Sequence, residues 1–193
     1  HGEGRKVDER KGTVSNIQHS SASNEWYTPA PIVEASRAVM GTIDLDPASC
    51  DMAQRVVKAK SYHTKEDSGL RHTPWIGNVF LNPPGGYLRG RSSTVVWWEA
   101  LGRSFERGTL QQAVFVAFSI EFLQRGQLSR WNPFLFSELR ICLPRERPRW
   151  ATQMPDGRRL ELPHPTHGAA ILYLGGNASG FRRAFRSFGA IVR

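Results

Sequence analysis

Cysteine is scarce. The 193-residue chain holds two, Cys50 and Cys142, at a spacing that suits neither a metal site nor a disulfide framework. Reduced thiols in a cytosolic protein are the simplest reading, and neither is assigned as a nucleophile. The six histidines show no metal-ligand pattern, so no metal is assigned. No run approaches the ~18 consecutive apolar residues that a membrane helix requires. There is no charged-then-apolar opening of the secretory kind. A cytoplasmic location without a membrane partner is therefore the expectation. No internal repeat is visible. Lysine is missing from the last part of the chain: Leu139 to Arg193 carries ten arginines against three acids, Glu146, Asp156 and Glu161.

What is present suits an ordinary folded domain. Hydrophobic residues make up 39%, enough for a sizeable core, and 22% charge argues against wholesale disorder. The length makes one domain the default. The net charge is +9, and its concentration near the C-terminus points to a polyanionic partner such as nucleic acid. Residues 1–24 are polar and Ser-rich and read as a flexible arm, leaving 25–193 as the domain.

Within the domain, helical and strand patterns alternate. Thr28 suits an N-cap and Pro29 a first helical position. Ile32, Val33, Ser36, Val39 and Met40 share one helical face, and Gly41 can close the helix. "TIDLDPAS" reads as a short strand ending in carboxylates. A helix is expected through "CDMAQRVVKA", an extended piece through "KSYHT" and a loop through "KEDSGLRHTP". "GNVFL" is a strand stopped by Asn82-Pro83-Pro84, and "GGYLRGRSS" a Gly-rich basic loop. "TVVWWEALGRSFERG" is helical, with Trp97, Leu101 and Phe105 at core spacing. "QAVFVAF" reads as a strand buried on both faces, "SIEFLQRGQLS" as a helix, and "ELRICL" and "GAAILYLG" as two strands. Between these two strands, 144–167 reads as a long Arg/Pro-rich loop. The tail suggests a short helix and an edge strand. The fold class expected is α/β with a mostly parallel sheet and an antiparallel C-terminal edge.

Ligands in such sheets sit beyond the carboxyl ends of the strands. Two strands end in unusual polar groups there: "IDLD-PAS" and "VFL-NPP". The second has a specific chemical use. An exocyclic amine on a nucleobase is a poor nucleophile because its lone pair is delocalised into the ring. Two acceptors that hold both amine hydrogens favour a pyramidal nitrogen and free the lone pair. The Asn82 side-chain oxygen and the Pro83 carbonyl are candidates for those acceptors, with proline rigidity keeping them preorganised. A strand-terminating Asn-Pro turn is the plainer alternative.

"EWYTP" at 25–29, "IDLDPAS" at 43–49 and "FLNPPG" at 80–85 occur together and in order. In this combination the chain resembles the phage-type DNA N6-adenine methyltransferases, which use S-adenosylmethionine (AdoMet). "KEDSGL" and "GAAILYLG" extend the resemblance to the C-terminus. The resemblance implies a Rossmann-like AdoMet-dependent methyltransferase fold. It implies cofactor contacts from Tyr27, Thr28 and Pro29, from Asp44, Asp46, Pro47, Ala48 and Ser49, and from Asp67. It implies catalysis by Asn82, Pro83 and Pro84. The residue after the prolines is Gly85 where the family usually has an aromatic, which makes Tyr87 the stacking candidate. Thirty-six positions separate Asp46 from Asn82, so the cofactor half of the sheet is expected to be abbreviated. The DNA partner would be gripped by Arg89 and Arg91 and by Arg145, Arg147, Arg149 and Trp150. The implied biological role is protection of phage DNA from host restriction, in the host cytoplasm. The same clamp would serve cytosine N4, RNA or a protein amide, and a DNA-binding protein without turnover is the alternative of another class.

Overall fold

The computed structural model describes residues 26–153, 159–161 and 167–192; the arm at 1–24 lies outside them. Helix α1 spans Ala30–Met40, and the buried residues are Ile32, Val33, Ser36, Val39 and Met40, the face its periodicity marks. Gly41 ends it at φ 80°, donating its N–H to the Arg37 carbonyl. The N-terminus differs from expectation. Pro29, not Thr28, holds the cap position, and no side chain caps the helix.

The chain continues through β1 (Leu45–Asp46), α2 (Asp51–Val57), β2 (Ser61–Tyr62) and β3 (Gly77–Leu81). A hairpin follows, β4 (Tyr87–Leu88) and β5 (Arg91–Ser92), then α3 (Ser93–Glu106), β6 (Leu110–Ala117), α4 (Phe122–Arg125) and β7 (Leu139–Pro144). A second hairpin joins β8 (Ala151–Gln153) to β9 (Arg159–Glu161), and β10 (Ala170–Leu174), α5 (Ala178–Phe185) and β11 (Gly189–Val192) complete the order.

Seven strands form one sheet in the order β11-β7-β10-β6-β3-β1-β2. Strands β2, β1, β3 and β6 pair in parallel. Strand β10 runs antiparallel between β6 and β7, and β11 is antiparallel to β7 at the edge. This is an α/β fold with a mixed, mostly parallel sheet, compatible with a Rossmann-like arrangement. One strand, β2, lies beyond β1, so the half of the sheet after Asp46 is short.

Successive strand residues face opposite sides, and the core divides accordingly. Val79, Leu81, Phe115 and Leu172 pack on one face with Trp97, Trp98 and Leu101 of α3. Phe80, Val114, Val116 and Tyr173 pack on the other with Ile32 and Val33 of α1 and Phe181 and Phe185 of α5. Strand β6 is thus buried on both faces, as its unbroken apolar run predicts.

Three expected elements differ. The Gly-rich loop after the prolines is the β4–β5 hairpin, turned by Arg89 at φ 48° and Gly90 at φ 77°. A two-residue hairpin turn of this kind needs positive φ at both positions, and an arginine in the first hides the signal. The helix expected over "SIEFLQRGQLS" is only Phe122–Arg125, followed by a 3₁₀ turn at Gly126–Leu128. The long loop at 144–167 contains the β8–β9 hairpin, which also bridges Ala151 to Tyr27.

Candidate active site

The chain passes from β1 outward to β2 and then returns to the other side of β1 as β3. The gap between the carboxyl ends of β1 and β3 is therefore the topological switch point, where α/β sheets place their ligands. Asp46 is the last residue of β1 and Asn82 follows the last residue of β3. A cavity of about 640 Å³ lies there and is lined by both, within the usual range for a small-molecule site.

The entry segment supplies Trp26, Tyr27 and Thr28 to the lining, β1 and its turn supply Asp46, Ala48 and Ser49, and the loop after β2 supplies Thr64, Lys65 and Ser68. Asn82, Pro83, Pro84, Gly85 and Leu88 line the other end, with Ser93 and Trp97 of α3.

Asp46 is 2% exposed. It accepts from the Ala48 N–H at 3.3 Å and from Gln54 Nε2 at 3.0 Å, and Gln54 is itself fixed by the Ala59 N–H at 2.9 Å and by Ser49 Oγ at 2.7 Å. Every such partner is neutral. Burial therefore wins, and its carboxyl is raised to about 7, against lesser pulls downward from Ser49, Ala48 and Gln54. A buried carboxylate held by neutral donors fits a cationic ligand group.

Asn82 is oriented by one contact: its Nδ2 donates to the Trp26 carbonyl at 2.5 Å. That bond fixes which end of the amide is which, and reserves Oδ1 for another donor. Trp26 is held in turn by stacking on Phe118 at 5.8 Å, and Phe118 packs on Trp150 at 5.1 Å.

Three residues of the lining each carry a buried polar atom with no hydrogen-bond partner: Thr28 Oγ1, Ser93 Oγ and Trp97 Nε1. Each unsatisfied buried group costs about 1–3 kcal/mol unless a ligand meets it. Thr28 is unspent because it does not cap α1.

Several sequence-assigned residues lie elsewhere. Asp44 does not line the cavity; Lys60 Nζ at 2.7 Å and the Asn78 N–H at 2.9 Å hold its carboxylate below the usual range. Pro29 and Pro47 are not in the lining either. Asp67 is exposed outside it, taken up by His72 Nε2 at 2.7 Å and facing His63 Nδ1 at 3.4 Å. Those three side chains bring their ligand atoms within 4.8 Å of one another, a metal-compatible grouping that linear spacing does not reveal. Tyr87 is 69% exposed on the hairpin, and Leu88 takes the place in the lining instead. Arg91 is paired with Glu99 at 2.6 Å, while Arg89, Arg145, Arg147 and Arg149 are exposed.

Trp150 is fully buried and is not a surface for a base to stack on. Its place behind Phe118 and Trp26 makes it a support for Asn82. Trp150→Ala is expected to cost about 3–5 kcal/mol of stability, read as a large fall in melting temperature. A selective loss of DNA affinity in a protein that melts normally would contradict this placement.

Comparison with known proteins returns no match to a family model, a curated protein or a solved structure. Among the described residues, no helix is long and apolar enough to cross a membrane. Sequence reasoning missed Gln54, Ser93 and Trp97. Their patterns are those of ordinary helix residues, and only the packing of α2 and α3 brings them to Asp46 and the cavity.

Proposed function

We propose that the protein is an AdoMet-dependent methyltransferase that modifies an exocyclic amine of DNA, adenine N6 first among them. The observation that carries this reading is that one cavity, at the switch point of the sheet, is lined by both a buried carboxylate and an amide whose oxygen is reserved. The motif resemblance supplies the cofactor and the substrate class; the cavity supports them.

Asp46 would hold the cofactor's ammonium, and Thr28 lines the same cavity. The chemistry the cofactor would supply there is an electrophilic methyl with a neutral thioether as leaving group. Asn82 Oδ1 and the Pro83 carbonyl accept the two N–H bonds of the target amine and free its lone pair. Those acceptors are fixed before the reaction, so no reorganisation is needed as positive charge develops on nitrogen. The proton then passes to water, because Asp46 is the one acid in the lining among the described residues and is committed to the cofactor. A duplex base must leave the stack to arrive. The exposed arginines beyond β7 are suited to phosphate contact, and the Tyr27–Ala151 bridge ties their segment to the cavity wall.

Mass spectrometry of nucleosides from DNA incubated with the protein and AdoMet tests the reading. N6-methyl-2′-deoxyadenosine is expected; unmodified DNA alongside full AdoMet binding would sink it.

Gly85 offers a sharper test. A Cβ built there meets nothing within 4 Å, and its φ is not positive. Gly85→Tyr should therefore fold normally and supply a stacking face at the clamp. Base–aromatic stacking contributes about 1–3 kcal/mol, so the Michaelis constant for DNA should fall several-fold or more. An unchanged constant in a well-folded variant would mean that the base does not pass beside Gly85.

A further inference from the structure

We infer that His63, Asp67 and His72 bind one late first-row divalent metal ion, zinc first among them, and that the ion fixes the loop forming one wall of the cavity. The inference stands on side-chain geometry and holds whatever ligand the cavity takes.

The Asp67 carboxylate faces both imidazoles. Oδ1 lies 2.7 Å from His72 Nε2, and Oδ2 lies 3.4 Å from His63 Nδ1. The two rings stack with centroids 4.3 Å apart and planes 6° from parallel. Each ring therefore turns a nitrogen toward the same carboxylate. A hydrogen bond accounts for the His72 contact, but the His63 nitrogen lies beyond the usual hydrogen-bond range. A cation among the three would engage all of them at once. Their ligand atoms already lie within 4.8 Å of one another. Zinc bonds of about 2.0–2.1 Å in tetrahedral geometry need ligand atoms about 3.4 Å apart. Small rotations of Asp67 and His72, both exposed, close that difference.

The backbone holds the ligands in place from both ends of the loop. The His63 N–H donates to the Asp46 carbonyl at 3.0 Å, and the His63 carbonyl accepts from the Ser49 N–H at 2.8 Å. At the far end, the Gly69 carbonyl accepts from Trp75 Nε1 at 2.9 Å. Gly69 also sits so close to Pro47 that a Cβ there would collide with the Pro47 backbone. The 3₁₀ turn at Gly69–His72 then carries His72 back to His63. Thr64, Lys65 and Ser68, which line the cavity, lie between these two anchors. An ion on His63, Asp67 and His72 would tie the ends of that segment together.

The donor set selects the metal. Two imidazole nitrogens and one carboxylate oxygen suit zinc and its late first-row neighbours, whereas magnesium and calcium favour all-oxygen sites. Three protein ligands leave a fourth position for water.

Calorimetry with zinc chloride on chelator-treated full-length protein is the first test. One equivalent should bind wild type at micromolar zinc, and millimolar magnesium should not displace it. Loss of an outer-shell partner alone weakens metal sites about 10–100-fold, so loss of a ligand should cost at least as much. His72→Ala and Asp67→Ala should each weaken zinc binding by about a hundredfold or more. Both change exposed side chains and should melt within a few degrees of wild type without metal. Zinc should slow amide hydrogen exchange across residues 64–72 in wild type and leave both variants unchanged. Cobalt(II) on wild type supplies a readout that needs no variant: weak visible bands of a nitrogen–oxygen site are expected. An intense thiolate charge-transfer band would put the metal on a cysteine and overturn the inference. So would the absence of zinc binding by wild type, equal zinc affinity in wild type and variants, or displacement by magnesium. Ligand-dependent zinc binding with exchange across 64–72 unaltered would overturn the bracing role.

Discussion

Asn82→Ala is expected to lower the rate of methyl transfer by about a hundred- to a thousand-fold while leaving AdoMet affinity within a few-fold of wild type. The magnitude is that for removing one preorganised polar group from a transition state, here the acceptor that localises the amine lone pair. The proposed cofactor side of the cavity, built on Asp46, Ser49 and Gln54, shares no hydrogen bond with Asn82. Single-turnover kinetics with labelled AdoMet, beside calorimetry, measures both. Equal rates in variant and wild type would remove Asn82 from the mechanism. A matching collapse of rate and AdoMet affinity would mean that the variant had disturbed the whole pocket.

Asn82→Asp separates acceptor from donor. An aspartate keeps an oxygen for the amine but turns the other toward the Trp26 carbonyl, where Asn82 donates at 2.5 Å. Two oxygens cannot share that contact when the acid is ionised. Trp26 must then shift, and its stack on Phe118 with it. The aspartate variant should therefore be both slower and less stable than wild type at neutral pH, and should recover stability in acid as the carboxyl protonates.

The parts of this molecule that were legible in its sequence are those set by local pattern. The α1 face, the doubly buried β6 and the polar ends of β1 and β3 follow from period and from proline punctuation. What was hidden depends on contacts far apart in the chain. Asp44 and Asp46 are alike in sequence, but Asp46 ends β1 while Asp44 precedes it and is held by Lys60 and Asn78. Trp150 sits among arginines in sequence, and only the turn of β8 onto Tyr27 buries it against Phe118. His63, Asp67 and His72 meet because the 3₁₀ turn at Gly69–His72 folds back on the end of β2.

The pH dependence of AdoMet binding provides the second large effect, because Asp46 titrates near 7 in the free protein. Its ionised form is the one that pairs with an ammonium. Below pH 7, binding must first expel a proton, so affinity should fall by up to tenfold per pH unit. Above about pH 8 the free cofactor's α-amino group loses its own charge, so affinity peaks between the two. Asp46→Asn should lower the peak by about 10–100-fold and flatten the acid limb, so that variant and wild type converge near pH 5. Stability runs the opposite way. The folded-state value lies above the ordinary 3.8, so the folded protein binds the extra proton, and wild-type stability declines as pH rises from about 4 to 7. A shift of that size is on the order of 4 kcal/mol, and AdoMet should restore part of it. The asparagine is not a perfect replacement, since its amide would face Gln54 Nε2, whose partner oxygen is committed to the Ala59 N–H. The slope is therefore the diagnostic rather than the absolute melting temperature: it should vanish in the variant. If wild type and variant melt with parallel pH profiles, Asp46 is not buried as an unpaired acid and the cofactor's ammonium is held elsewhere.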